Sequence, residues 1–195
     1  MENAPIRSFI AIELPAEVVA KLEEIQKALK SPRHSFVKWV PPENIHITLK
    51  FLGNVPPDKI ASVTSVMEQV SQAFGPIRLE IGEIGAFPNL KQPRVLWVGV
   101  RGEIGNLQAL QASLEENLAR LGFSKESRGF TPHLTLARLR EGISPVERRE
   151  FGAMIISKPV YGGCQFTATK ISLMKSQLLP SGAVYTRLAE VRLKG

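Results

Sequence analysis

The sequence predicts an α+β fold: a bilobal, pseudo-two-fold arrangement of duplicated β-α-β units, with antiparallel sheets lining a central groove and helices outside. Three observations carry this expectation. The pattern His-x-Thr-Leu occurs twice, as His46-Ile47-Thr48-Leu49 and His133-Leu134-Thr135-Leu136. Around each copy the order strand, helix, histidine strand, helix, strand recurs. Each histidine segment also alternates polar and aliphatic residues with the period of two that marks a half-buried strand. Residues 1–195 are read as a single domain made of two related lobes, a length able to bury roughly 70% of the unfolded surface.

The elements follow in order. Residues 7–14 alternate and read as a strand. Pro15 stands where a helix begins, and Val18, Val19, Leu22, Ile25 and Leu29 recur at helical spacing. After Ser31-Pro32 come a short strand, 37–40, a Pro41-Pro42 turn and the first histidine strand, 45–52, which residues 53–57 punctuate. Ile60, Val63, Val66, Met67, Val70 and Phe74 mark a second helix, and residues 77–84 a further strand. The second half opens with a strand at 94–100, then a helix at 107–121 carried by Leu107, Leu110, Leu114 and Leu118. Phe130-Thr131-Pro132 leads into the second histidine strand. Ser144-Pro145-Val146-Glu147 has the N-cap serine, first-turn proline and nearby glutamate of a helix start. Two closing strands, 166–173 and 184–193, are joined across Pro180-Ser181-Gly182 as a hairpin with a longer loop.

A lone histidine in a strand is more often structural than catalytic. Duplication shifts that balance, because the chain has only three histidines and two of them share the same offset to a threonine. The third, His34, has no such partner and reads as a solvent-exposed loop residue. Both motif histidines follow a proline-containing turn and precede a basic residue, Lys50 or Arg138, taken as equivalent places on the histidine face. Brought together, the strands make one cleft with two imidazoles and two hydroxyls, suited to acid–base chemistry on a phosphate. Phe9, Phe51, Trp39 and Tyr185 are candidate stacking surfaces for bases, each weighed against a role in the core.

Composition narrows the classes. At 44% hydrophobic and 22% charged residues the chain matches an ordinary globular protein. No apolar run reaches the ~20 residues of a membrane helix, and no signal-peptide core stands out, so no membrane partner is expected. Cys164 is the single cysteine, which excludes an internal disulfide and a thiolate metal cluster. These points favour a cytoplasmic location, and nothing demands more than a monomer. A net charge of +7 would draw a polyanion. No glycine-rich phosphate loop or dinucleotide fingerprint occurs, so no cofactor is expected. Two histidines accompanied by hydroxyls, with no carboxylate or thiol at a fixed short offset, make a metal site unlike the usual zinc sets, and none is assigned.

The doubled His-x-Thr pattern resembles the signature of the 2H phosphoesterase superfamily. Residues 7–15, 39–53, 130–138 and 173–176 resemble its RNA 2′,3′-cyclic phosphodiesterase branch, historically called 2′-5′ RNA ligases, across essentially the whole chain. The resemblance implies a bilobal fold with a central groove and metal-independent hydrolysis of RNA 2′,3′-cyclic phosphate ends, or of cyclic nucleotides, to 2′-phosphates. By the family's pattern His46 is the proton donor and His133 the acceptor. Thr48, Thr135 and Arg138 are the residues expected to bind the phosphate. Two rival readings stay open at this point: a 2′-5′ RNA ligase running the reverse reaction, and a non-catalytic RNA-end-binding module.

Overall fold

A computed structural model describes residues 4–158, 163–180 and 182–195. Among these residues nine strands form one sheet in which every pairing is antiparallel: β1 (Ile6–Glu13), β2 (Val37–Trp39), β3 (His46–Val55), β4 (Ile77–Phe87), β5 (Val95–Gly102), β6 (His133–Leu139), β7 (Gln165–Ala168), β8 (Lys170–Leu179) and β9 (Gly182–Arg192). Four α-helices among the described residues pack on it: α1 (Ala16–Leu29), α2 (Ile60–Ser71), α3 (Ile104–Ala119) and α4 (Pro145–Ser157).

The strand order is β7-β4-β5-β6-β3-β1-β8-β9, with β2 added beside β6. Its centre is narrow, for β3 and β6 meet at the single pair Ile47↔Leu134. On either side of that pair lies a four-stranded wing, β3-β1-β8-β9 or β6-β5-β4-β7, so the architecture is bilobal and pseudo-two-fold as expected. The wings are not the two halves of the sequence, however. Strand β4 closes the first half of the chain yet pairs with β5, while β8 from the second half returns to pair with β1. Each half thus lends strands to the other wing, β2 and β4 from the first and β8 and β9 from the second, which couples the lobes through main-chain hydrogen bonds.

The helices cover one face of the sheet. Val18, Leu22, Ile25 and Leu29 of α1 and Leu107, Leu110, Leu114 and Leu118 of α3 are buried there, the stripes that the 3.6-residue spacing predicts. Ile10, Ile12, Ile47, Leu49, Leu134 and Leu136 meet them from the strands. A smaller cluster of Phe9, Ala11 and Met174, with Tyr185 against it, lies on the opposite face. Strand β1 is therefore buried on both sides. Helix α4 starts with the capping box read from sequence: Ser144 Oγ accepts from Glu147 N at 3.2 Å, and Ser144 N donates to Glu147 Oε2 at 2.9 Å.

Several boundaries differ from the sequence reading. Residues 53–55 continue β3 instead of ending it, because Gly53 takes a φ of +70° that suits glycine and lets the strand run on to the buried Val55. The expected strand 166–173 is two strands that separate at Thr169, one pairing with β4 and one with β1. The closing hairpin is tight, with pairing that reaches Leu179↔Gly182; Ser181 of the expected turn lies outside the described residues. Among the described residues no helix is long and apolar enough to cross a membrane.

Candidate active site

The two histidine strands touch one residue beyond each histidine. Ile47 and Leu134 pair across the centre of the sheet with both side chains fully buried in the main core. Their neighbours His46, Thr48, His133 and Thr135 must then share the other face, where all four are partly exposed. An antiparallel step from the central pair sets Thr48 against His133 and His46 against Thr135. Strand spacing separates the two histidine Cα atoms by roughly 7 Å along the strands and about 5 Å across them, leaving room between the rings for one tetrahedral phosphate. The motif residues therefore come together as expected.

Past the threonines both strands carry a bulge at the same place in the repeat. Thr48 pairs with Ala11 and Lys50 with Ile10, leaving Leu49 as the extra residue. Likewise Thr135 pairs with Trp97 and Ala137 with Leu96, leaving Leu136 extra. An extra residue reverses the alternation beyond it. Arg138 thereby returns to the histidine face, where it stands exposed and close enough to His133 to act on it electrostatically. The residue in the corresponding place of the first copy is Phe51, 67% exposed.

Lys50 corrects the sequence reading. It corresponds to Ala137 rather than Arg138, and strict alternation, which put it on the histidine face, ignored the bulge. It points into the helical side instead, only 4% exposed, with Nζ 2.7 Å from Glu115 Oε2 on α3 and 2.8 Å from the Ser124 carbonyl. The second bulge is braced differently. The Leu136 carbonyl accepts from Val40 N at 2.9 Å and from the buried Gln26 Nε2 at 3.0 Å.

Each imidazole is fixed in the same way. His46 Nδ1 lies 2.8 Å from the Asn44 carbonyl and His133 Nδ1 2.7 Å from the Thr131 carbonyl, in both cases two residues upstream. A carbonyl only accepts, so Nδ1 carries a proton and Nε2 is left free to gain or lose one. Aromatic rings wall each imidazole. Phe9 stacks on His46 with centroids 4.7 Å apart and Tyr185 meets its edge at 5.3 Å. Phe87 and Trp97 stand 5.0 Å and 6.2 Å from His133. Gly85 makes the indole's position possible, because a Cβ there would lie 2.2 Å from the Trp97 ring.

These walls set the electrostatics. Burial pushes both imidazoles below the usual histidine range, favouring the neutral form. The smaller influences differ between them. The Asn44 carbonyl and the Glu13 carboxylate favour a proton on His46, against repulsion from His133, whereas at His133 the Thr131 carbonyl favours a proton and Arg138 opposes it. Glu13 pairs with His46 in register and is itself held by Arg187, at 2.8 Å and 3.0 Å, and by Ser172 Oγ at 2.5 Å. Burial raises the Glu13 pKa, but these partners outweigh it, and the carboxylate sits below its usual range.

Glu13, Arg187, Phe87 and Trp97 were not singled out from sequence. Alternation along residues 9, 11 and 13 was the signal for Glu13; its partner Arg187 is too distant in the chain to be seen. Among the proposed stacking residues, Phe9 is occupied by His46, Tyr185 walls the same ring, and Trp39 packs toward the main core with Lys30 Nζ 5.7 Å from its centroid. Phe51 alone of these four presents a largely open surface. His34 is not the solvent-exposed residue expected: its ring packs edge-on to Phe151 at 5.2 Å, with Nδ1 buried. Among the described residues no group of three or more His, Cys, Asp or Glu converges to hold a metal.

Comparison with known proteins matches this arrangement. The family model described as LigT like phosphoesterase fits twice, over residues 12–97 and 98–185. The RNA 2′,3′-cyclic phosphodiesterase of Methanothermobacter thermautotrophicus is 32% identical over 197 aligned positions, covering 96% of this chain and 99% of the relative. Its namesake from Archaeoglobus fulgidus is 36% identical, covering 94% and 98%. Among solved structures, the Thermus thermophilus protein TT0787 superposes with a TM-score of 0.79 at 28% identity over 97% and 99% of the two chains. Escherichia coli LigT complexed with 3′-AMP superposes with a TM-score of 0.77 at 26% identity, covering 98% and 99%.

Proposed function

Because the chain belongs to the LigT-like phosphoesterase family, we propose that it hydrolyses RNA 2′,3′-cyclic phosphate ends to 2′-phosphomonoesters by paired-histidine acid–base catalysis without a metal. The observation that carries this reading is the central pair Ile47↔Leu134, which turns both imidazoles to one cleft. The relatives named for this activity and the neighbour holding a nucleotide support the substrate class. We read residues 1–195 as one domain of two lobes, since the cleft draws one histidine from each.

The chemistry follows from the groups present. Water attacks phosphorus on the side opposite the 3′-oxygen, and His133 Nε2 removes its proton as the new P–O bond forms. The P–O3′ bond breaks while His46 Nε2–H protonates the departing oxygen, leaving the phosphate on the 2′-oxygen. Thr48 and Thr135 hydroxyls donate to the non-bridging oxygens, and Arg138 offsets the charge that grows there. Glu13 beside His46 and Arg138 beside His133 favour this division of roles, since one holds a proton in place and the other keeps a lone pair free. The exposed face of Phe51 offers a platform for the terminal base.

The shifts give a pH dependence with a definite sign. In the free enzyme both imidazoles titrate below 6.5, so the productive form, with His46 protonated and His133 neutral, is most populated on the acid side of that value. The expected kcat/KM profile is a bell with its maximum below pH 6.5. Bound phosphate stabilises the imidazolium, so the alkaline limb of kcat lies at higher pH than that of kcat/KM. Glu13→Gln should move that limb to lower pH, because the carboxylate no longer favours the proton on His46. An unmoved limb in this variant contradicts the influence of Glu13.

Phosphorus NMR of a short cyclic-ended RNA, incubated with enzyme and EDTA, tests the reading as a whole. The expected product is a 2′-phosphomonoester alone, formed at the same rate with and without chelator. A 3′-phosphate product would reverse the regiochemistry. Loss of activity in EDTA, restored by a divalent ion, would overturn the metal-free mechanism.

A further inference from the structure

We propose that a groove leading outward from Phe51 binds the nucleotide immediately 5′ of the one carrying the cyclic phosphate, through its phosphodiester anion and its base. This rests on the catalytic reading above and extends it from the reacting end to the preceding nucleotide.

The cleft face can be followed strand by strand. On the regular strand β1 it carries Glu13, Ala11, Phe9 and Arg7, all at even spacing. On β3 a second bulge, at Leu52, follows the first, for Phe51 pairs with Phe9 and Gly53 with Ser8. The same face of β3 therefore runs His46, Thr48, Phe51, Asn54. Two ring contacts lead along it from the imidazole: His46 stacked on Phe9 at 4.7 Å, and Phe9 against the tilted ring of Phe51 at 6.2 Å. Beyond them Asn54 pairs in register with the exposed Arg7, so their side chains share the cleft face.

At this point a groove of about 450 Å3 opens between the end of β3 and the segment after α3. Phe51, Asn54 and Lys59 line one side, Phe123 and Ser124 the other. That volume lies within the ~300–1,000 Å3 of small-ligand sites. Its composition suits a nucleotide of a single strand, with the Phe123 ring for a base beyond the one that Phe51 carries, an amide and a hydroxyl for polar edges, and a cation for phosphate. No carboxylate lines it among the described residues, and Arg7, the register partner of the lining residue Asn54, adds a second positive charge nearby. The wall is a built one, since buried Lys50 holds the Ser124 carbonyl from beneath. A second cavity of about 430 Å3, beside His34, differs in charge: Glu147 and Glu150 line it and offset Arg33 and Lys158, so it offers no net positive charge to a phosphodiester.

The test compares a 2′,3′-cyclic mononucleotide with a trinucleotide bearing the same cyclic end, in wild type and in Lys59→Glu and Arg7→Glu. Wild type is expected to open the trinucleotide with a kcat/KM about tenfold or more above the mononucleotide. Each charge reversal should remove about tenfold of the trinucleotide kcat/KM and leave the mononucleotide unchanged. The trinucleotide advantage should also shrink as salt is raised, because phosphate contacts release counterions. Equal wild-type efficiency on both substrates, or variants that slow both alike, would overturn the groove while leaving the chemistry standing. A wild type inert on both would overturn the chemistry and the groove with it.

Discussion

Alanine in place of either His46 or His133 is expected to lower turnover on a cyclic-ended RNA by about 10²–10⁴-fold, the usual scale of general acid–base catalysis. Both rings sit on the open face of the sheet, outside the aliphatic core, so the loss should fall on chemistry more than on folding. Thr48, Thr135 and Arg138 remain to hold the phosphate, and kcat should fall much further than KM rises. The double variant should be little slower than either single one, because proton removal and proton delivery serve the same displacement. The variants also differ in a readable way. His133→Ala should lose the acid limb of the pH profile, while His46→Ala should lose the alkaline limb. Wild-type turnover in either single variant would defeat the assignment.

The largest expected stability effect is elsewhere. Lys50→Ala removes the partner of Glu115 in a place where the two side chains are 2% and 12% exposed. Breaking a buried ion pair from one side costs about 3–5 kcal/mol, since the remaining charge is left with too little solvent. Glu115 keeps hydrogen bonds from Gln111 Nε2 at 3.2 Å and Glu126 N at 3.3 Å, which do not replace an ammonium. Replacing both residues with methionine should restore most of the loss, because an apolar pair of similar volume avoids the desolvation cost. Denaturant unfolding of the single and double variants measures this. A Lys50→Ala protein as stable as wild type would show that the pair contributes nothing.

The same lysine illustrates which features were legible in the sequence. Period-two patterning placed His46, Thr48, His133 and Thr135 on one face, and their duplication implied the two-fold, because both depend on local spacing. Helices with regular apolar stripes, and the Ser144–Glu147 capping box, were legible for the same reason. A bulge leaves no such mark: nothing in Thr48-Leu49-Lys50 announces that Leu49 is an extra residue, so Lys50 and Arg138 were taken as equivalent when only Arg138 reaches the cleft. The Glu13–Arg187 pair joins strands from opposite ends of the chain. The exchange of β4 and β8 between the wings likewise depends on which edges are free after the first strands pair, a property of the assembled sheet.

The structure of a complex with adenosine 2′-monophosphate, the product class of the proposed reaction, tests the central claim most directly. Nε2 of His133 should lie within about 3.2 Å of a phosphate oxygen and Nε2 of His46 within about 3.2 Å of the ribose O3′ freed by the reaction, with the threonine hydroxyls on the remaining phosphate oxygens. A phosphate out of reach of His133, or an O3′ out of reach of His46, would contradict it.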